Sequence, residues 1–303
     1  MLGVTLAVFS AATFALNSAV LRRGVLAGSV IHAVVVSVPL GAILFLVVVT
    51  YLGALPVLAD FTPTSLALLA ASGVLHFGIG RYCNFRATQA AGAVLVGPIV
   101  EGGIFWTIGL AVLLLGETIA PLAFAGILLI ALGPMAIVAD RKRVQTTSGG
   151  FAPRVAEGVA FGVLGSVCFG SSPLLVRMAM PEGSSLLHGL VAGLVAYLAA
   201  TLIVLPVLFS ASIRTEVGQG SAASTRWFVI AGVTIWVSQL ARYMALAIAP
   251  VSLVTPLQRT SIVFRMLFAA LINPGTEVFS RGALIASLLC LMGVVLLALG
   301  SMP

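Results

Sequence analysis

Apolar residues fill the 303-residue chain in long, nearly charge-free stretches instead of alternating with polar ones. These stretches predict ten membrane-spanning helices at about 2–21, 30–52, 65–85, 92–115, 118–139, 157–176, 186–209, 227–247, 252–272 and 280–301. Most match the roughly 20 residues that a helix needs to cross hydrocarbon. A period of two is missing, which excludes a transmembrane barrel. Backbone polar groups must then be satisfied within helices. The first stretch has no positive residue before it and Arg22-Arg23 directly after it, the reverse of a cleavable secretory signal, so it is read as a permanent helix.

Composition strengthens this picture: 61% of residues are hydrophobic and 8% charged, against roughly a quarter charged in soluble domains. There is no room for a water-soluble catalytic or DNA-binding domain. The net charge of +7 comes from 15 Lys and Arg side chains scattered singly, not gathered into a patch, so a nucleic-acid partner is not expected. Cys83, Cys168 and Cys290 lack metal-site or redox spacing and read as small buried hydrophobes; no metal and no cofactor is expected.

One polar connection, residues 140–156, divides the chain into halves at 1–139 and 157–303. The halves match. Phe14 through Arg22 aligns with Phe169 through Arg177, His32 with His188, Arg81-Tyr82 with Arg242-Tyr243, and Leu95-Val96-Gly97-Pro98 with Leu253-Val254-Thr255-Pro256. Five spans per half is odd, so the second half enters from the opposite side. The expected fold is an all-α polytopic membrane protein, ten transmembrane helices as two inverted-topology five-helix repeats. Such repeats underlie many secondary transporters, which alternate access to a site near the midplane.

The text from Arg81-Tyr82 through Gly92-Ala93-Val94-Leu95-Val96-Gly97-Pro98 to Leu114-Leu115-Gly116-Glu117, with its second copy from Arg242-Tyr243 to Thr255-Pro256, resembles the drug/metabolite transporter superfamily, in particular its EamA-like members. The resemblance implies a carrier with helices 1 to 4 and 6 to 9 around a central cavity and helices 5 and 10 at the edge. It departs at Ile272-Asn273-Pro274-Gly275-Thr276-Glu277, which replaces the Leu-Gly-Glu ending, and Glu277 is given only a loop role.

An ionisable side chain deep in hydrocarbon costs at least roughly 2.5–3.5 kcal/mol, so each needs a partner, a wet cavity or a short reach to the interface. Glu101 and Arg259 each lie three residues after a proline, Pro98 and Pro256, at equivalent places in the two halves. They are expected to pair or to line one cavity, where helix breaks near the prolines free carbonyls. Arg265 lies about 120° around the helix from Arg259, so one of the two is structural. Arg81 and Arg242, with Tyr82 and Tyr243, are candidates for the cavity mouth; interfacial snorkelling is the alternative. Asn17, Ser171 and Ser172 are candidate hydrogen-bonding residues in helices 1 and 6, and Trp106 a candidate cavity wall. Arg22 and Arg177 read as helix-end charges, and His32 and His188 as helix-start residues. His76 has Val237 as its counterpart, which counts against a mechanistic role. Gly158-x-x-x-Gly162 and Gly189-x-x-x-Gly193 read as close helix packing.

Loops after the odd-numbered spans hold Arg22, Arg23, Arg86, Arg141, Lys142, Arg143, Arg154, Arg214, Arg226 and Arg281, while the opposite set holds Arg177. By the positive-inside rule both termini are outside, whereas the family resemblance implies termini inside; the lopsided charge count favours the outside placement.

The expected function is a secondary transporter in the cell inner (plasma) membrane, exporting a small polar, anionic or zwitterionic metabolite by alternating access, with Glu101 available for proton coupling. Its partners are the small-molecule substrate, the lipid bilayer and a second copy of the chain. A Walker A motif is absent, so ATP does not drive it directly. A divalent-cation carrier would need more oxygen ligands than Glu101 supplies. The alternative from another class is an integral membrane enzyme or flippase acting on lipid phosphates, for which Ser171-Ser172 and Arg177 are the only candidates; a non-transporting scaffold would leave the buried charges unexplained.

Overall fold

The computed structural model describes residues 1–115, 153–249, 251–277 and 281–300, with scattered positions between 121 and 136. The expected linker from 140 and the expected span 118–139 therefore lie mostly outside the described residues. Within them the structure is helical, with no strand. Two long helices open the chain, α1 (Leu2–Ala27) and α2 (Val30–Tyr51). A 3-10 turn at Leu55–Asp60 leads into α3 (Pro63–Gly73), a π-helical turn at Val74–Gly80 and α4 (Arg81–Ala91). These three segments join into one 29-residue apolar span. Helices α5 (Ala93–Glu101) and α6 (Ile104–Leu115) follow.

After the polar connection come α7 (Val155–Ala179), α8 (Leu186–Val204), a 3-10 turn at Leu205–Phe209, α9 (Ala211–Gly218), α10 (Ala222–Ile248), α11 (Val251–Arg259), α12 (Ser261–Ile272) and α13 (Arg281–Gly300). The order of the first half recurs, down to a Leu-Pro-Val-Leu sequence opening both 3-10 turns, at Leu55 and Leu205. Six of these helical segments among the described residues are long and apolar enough to cross a membrane. The chain is a multi-pass membrane protein.

Local chemistry explains the helix starts. Ser29 accepts from the His32 N–H at the start of α2, Thr62 from Ser65 at α3, and Ser221 from Ser224 at α10. Each such cap satisfies an N–H with no carbonyl partner in the helix. At α8, Ser185 donates its backbone N–H to His188 Nδ1 in a capping box, and His188 Nε2 reaches Asp60 at 3.2 Å.

Two expected continuous spans, 92–115 and 252–272, are each broken in the middle. The breaks fall after the prolines: α5 continues through Pro98 to Glu101, and α11 ends at Arg259, three residues after Pro256. At Gly102 and Gly103 the N–H groups fold back to Ile99 and Val100, both at 3.1 Å, and at Thr260 the N–H turns to Leu257 at 3.2 Å. These are 3-10-type bonds, which tighten a helix end. The break after α5 also lets α6 press on α7: a Cβ on Gly170 would collide with the Gly103 carbonyl.

Helix α1 packs chiefly on α10 and α12, α2 on α8 and α10, and α4 on α7, so the two halves interleave. The core is built from small residues that let the helices approach, such as Ala15, Ala19 and Ala196, and from Phe45, Phe77 and Tyr197 between them. The three cysteines are free and buried.

At one end of this bundle sits an ion pair that the sequence did not announce. Glu277 is not a loop bystander: its two carboxylate oxygens accept from the N–H groups of Ala93 at 2.9 Å and Val94 at 3.1 Å, capping α5. Arg22 Nε lies 3.7 Å from Glu277, and both side chains are fully buried. The same guanidinium donates to the carbonyls of Thr88, Gln89 and Thr276. Gly92, at φ +86°, is required here twice over, since the positive φ is strained for other residues and a Cβ would come within 2.6 Å of Glu277. Arg22 is thus a structural hub, whereas Arg177 at the equivalent helix end is exposed.

Removing one member of a buried pair leaves the other uncompensated, typically at a cost of about 3–5 kcal/mol. Glu277→Ala is expected to destabilise the purified protein by about that much, and the Arg22→Met/Glu277→Gln double variant by less than Glu277→Ala. Thermal unfolding in detergent checks both.

Candidate functional site

The polar residues left inside the bundle gather around a small central cavity. The π-turn carries His76, α1 carries Ser10, α10 carries Gln239 and Arg242, and α11 ends in Gln258 and Arg259. Phe14 and Phe169, packed edge to face with centroids 6.5 Å apart, close an apolar side. The cavity measures about 60 Å³, room for about four to six waters or a molecule of a few heavy atoms.

The elements explain the placement. Gln239 and Arg242 are three residues apart on α10 and so share a face; Gln239 Oε1 accepts from Arg242 at 3.0 Å. Gln258 donates to Ser10 Oγ at 3.2 Å, and Ser10 and Ser238 hydroxyls meet at 3.3 Å, so α1, α10 and α11 are tied together at the wall. Arg259 stands at the break between α11 and α12. His76 is carried inward by the π-turn, a widened helical geometry frequent at functional sites. Its ring packs on Phe169 and Phe77 at 4.5 and 4.8 Å. Arg242, Arg81 and Arg259 all lie within electrostatic range of it.

The sequence candidates divide. Arg242 and Arg259 line the cavity. Arg81 stands behind it, buried, donating to Tyr197 Oη at 2.7 Å and lying over the Phe77 and Tyr197 rings. Neither Arg81 nor Arg242 snorkels: they are 3% and 4% exposed, and among the described residues neither has a carboxylate partner. Glu101 ends α5 immediately before a helix break, and its side chain lies outside the described residues. Arg265 is fully enclosed against Phe14 and Gly97, behind the cavity wall, and is not among the residues that line the cavity.

Other candidates do other work. Asn17 donates to the Ala231 carbonyl at 2.7 Å and to Thr234 at 3.3 Å, joining α1 to α10. Tyr243 is sealed in the aromatic core and Tyr82 packs edge-on against Phe161. Trp106 is 47% exposed on the outer surface. Ser172 is fully buried in α7, and Ser171 bonds back to the Val167 carbonyl. None of these six lines the central cavity.

Sequence reasoning missed His76, Gln239, Gln258, Ser10 and Ser238. A signal existed for the glutamines, because Gln239 precedes Arg242 by one helical turn and Gln258 adjoins Arg259. For His76 there was none, since a π-turn shifts the register of every side chain after it.

Among the described residues the protein is a helical, multi-pass bundle with a polar, guanidinium-lined chamber beside broken helices. Residues 1–139 match the EamA-like transporter family, as the sequence resemblance anticipated. No curated protein sequence matches the chain significantly. A solved crystal structure shares the fold over 99% of both chains, at 17% identity and a TM-score of 0.62.

Asn17 serves helix packing, so Asn17→Ala is expected to lower stability by about 1 kcal/mol, the worth of a typical hydrogen bond. Ligand-binding affinity, measured alongside thermal unfolding, is expected to stay at the wild-type value.

Proposed function

We propose that the protein is a secondary carrier that moves a small polar anion or zwitterion, outward in the cell inner membrane, by alternating access to the central cavity. The observation that carries this reading is the convergence of Arg242 and Arg259 on one cavity at the end of a broken helix. Guanidinium groups bind carboxylates and phosphates through paired, charge-assisted hydrogen bonds. Burying such a group is costly unless it is paired and hydrogen-bonded, and the hydrogen bond of Arg242 goes to the neutral Gln239. Gln239 and Gln258 add neutral donors and acceptors at the same wall.

In this reading residues 1–139 and 157–303 are two five-helix halves of inverted topology that rock about the cavity. Breaks at Glu101 and Arg259, in corresponding helices, are where such carriers bind their substrates. Glu101 is the group assigned to proton coupling, and to pairing with Arg259. The positive loops assign both termini to the outside. Helix α13, with Leu288, Met292 and Val295 facing outward, suits a lipid boundary or a second copy. The lipid-phosphate enzyme or flippase has less to support it: Ser172 is sealed, while Arg177 lines a separate surface pocket with Glu182.

The test is flux in liposomes containing the purified protein alone, preloaded with labelled small carboxylates. Wild-type protein is expected to release at least one anion faster than empty liposomes, and Arg242→Gln to lose at least about tenfold of that rate, since a charge-assisted contact is worth about 1.5–3 kcal/mol. Unchanged flux in Arg242→Gln contradicts the assignment, and phosphate release from lipid favours the enzyme.

A further inference from the structure

Gln239 and Arg242 meet on one face of α10, and their contact fixes what the cavity wall can offer. The guanidinium donates to Gln239 Oε1 at 3.0 Å. Arginine has no acceptor, so the amide meets it only through its oxygen, and the amide nitrogen is left to the other side as a donor. That nitrogen and the remaining nitrogens of Arg242 have no hydrogen-bond partner among the described residues. They are nonetheless not sealed in, and each keeps contact with open space. Both residues are almost fully buried, at 2% and 4% exposure, and both line the central cavity, so the cavity is the space these donors border.

The same contact governs charge. Arg242 has no carboxylate partner among the described residues. The Tyr243 ring lies against it, with the guanidinium carbon 5.7 Å from the ring centroid. An amide oxygen holds a guanidinium through a hydrogen bond and leaves its positive charge in place, whereas a carboxylate on a side chain of the same length would cancel that charge. The chain carries the cancelled form at Arg22, whose Nε lies 3.7 Å from Glu277. In the first half the arrangement is not repeated: Gly78, in the π-turn, stands at the place equivalent to Gln239, and Arg81 donates to Tyr197 Oη at 2.7 Å.

We infer that Gln239 is the positioning residue that makes the cavity select small carboxylates over neutral molecules of the same shape. Its oxygen holds Arg242 at the cavity wall without neutralising it, and its amide nitrogen supplies a second donor beside the guanidinium. This rests on the reading of the cavity as a substrate site, and deepens it by assigning the choice of charge to one neutral side chain.

The test uses acetate and propionate, with acetamide and propionamide as neutral molecules of matching shape. Ligand-dependent thermal stabilisation of the full-length protein in detergent at neutral pH gives an apparent Kd for each. The wild-type protein is expected to bind at least one carboxylate about tenfold or more tighter than its amide, the range of a charge-assisted contact. Gln239→Glu is expected to abolish that preference and to unfold at no lower a temperature than wild type, because the introduced carboxylate pairs with the buried Arg242. Gln239→Met stays neutral but loses the hold on Arg242 and one donor, so carboxylate and amide are both expected to bind about three- to tenfold more weakly, with the preference kept. A residue that only packed helices would change both probes alike in both variants. A carboxylate preference that survives Gln239→Glu, or one already absent from the wild-type protein while both probes bind, overturns the role of Gln239 and leaves a binding cavity in place. Loss of the preference in Gln239→Met, or lower stability of Gln239→Glu than of wild type, overturns the charge argument. If neither carboxylate stabilises the wild-type protein, the carboxylate site itself fails, and with it the proposed function.

Discussion

Hydrocarbon offers no hydrogen bonds, so each polar group inside this bundle must find its partner within the protein, and the tightest instance is Glu277. Its carboxylate holds the first two N–H groups of α5, and Arg22 in turn holds the carboxylate while binding three backbone carbonyls. Five segments meet there: the end of α1, the end of α4, Gly92, the start of α5 and the turn after α12. With that end fixed, α5 runs inward to stop at Glu101, and α12 returns to the break at Thr260. The positions of both broken helices are thus referred to one buried ion pair.

The central cavity obeys the same constraint with a different outcome. At the Arg22 hub, positive and negative groups are matched and water is excluded. Around the cavity, Arg242 donates to the neutral oxygen of Gln239 and lies over the Tyr243 ring, and among the described residues His76 Nδ1 has no hydrogen-bond partner. The buried ion pair ties helices together, whereas the polar groups around the cavity form the site proposed for the substrate.

Much of this was legible in the sequence. Long apolar runs located the helices, because the bilayer sets their length. The matched text of the two halves pointed to Arg242 and Arg259, and the EamA-like resemblance held over residues 1–139. Other features depend on three-dimensional relations that spacing does not carry. Glu277 looked like a loop residue because its partners, Ala93 and Val94, are more than 180 positions away. Asn17 looked like a cavity group because a mid-helix amide gives no hint of which neighbour it faces. Trp106 turned outward because the break at Gly102 reorients α6, and His76 turned inward because the π-turn adds a residue to the helical register.

The proposed function requires that the chamber between α1, α10 and α11 receive the carboxylate of a small anion. It is tested most directly by an X-ray structure of the protein soaked with 3-bromopropionate, a propionate analogue whose bromine can be located by anomalous scattering. The account predicts a bromine peak inside the cavity, with carboxylate density against Arg242. A bromine peak only at the protein surface, with the cavity unchanged at saturating ligand, would contradict it.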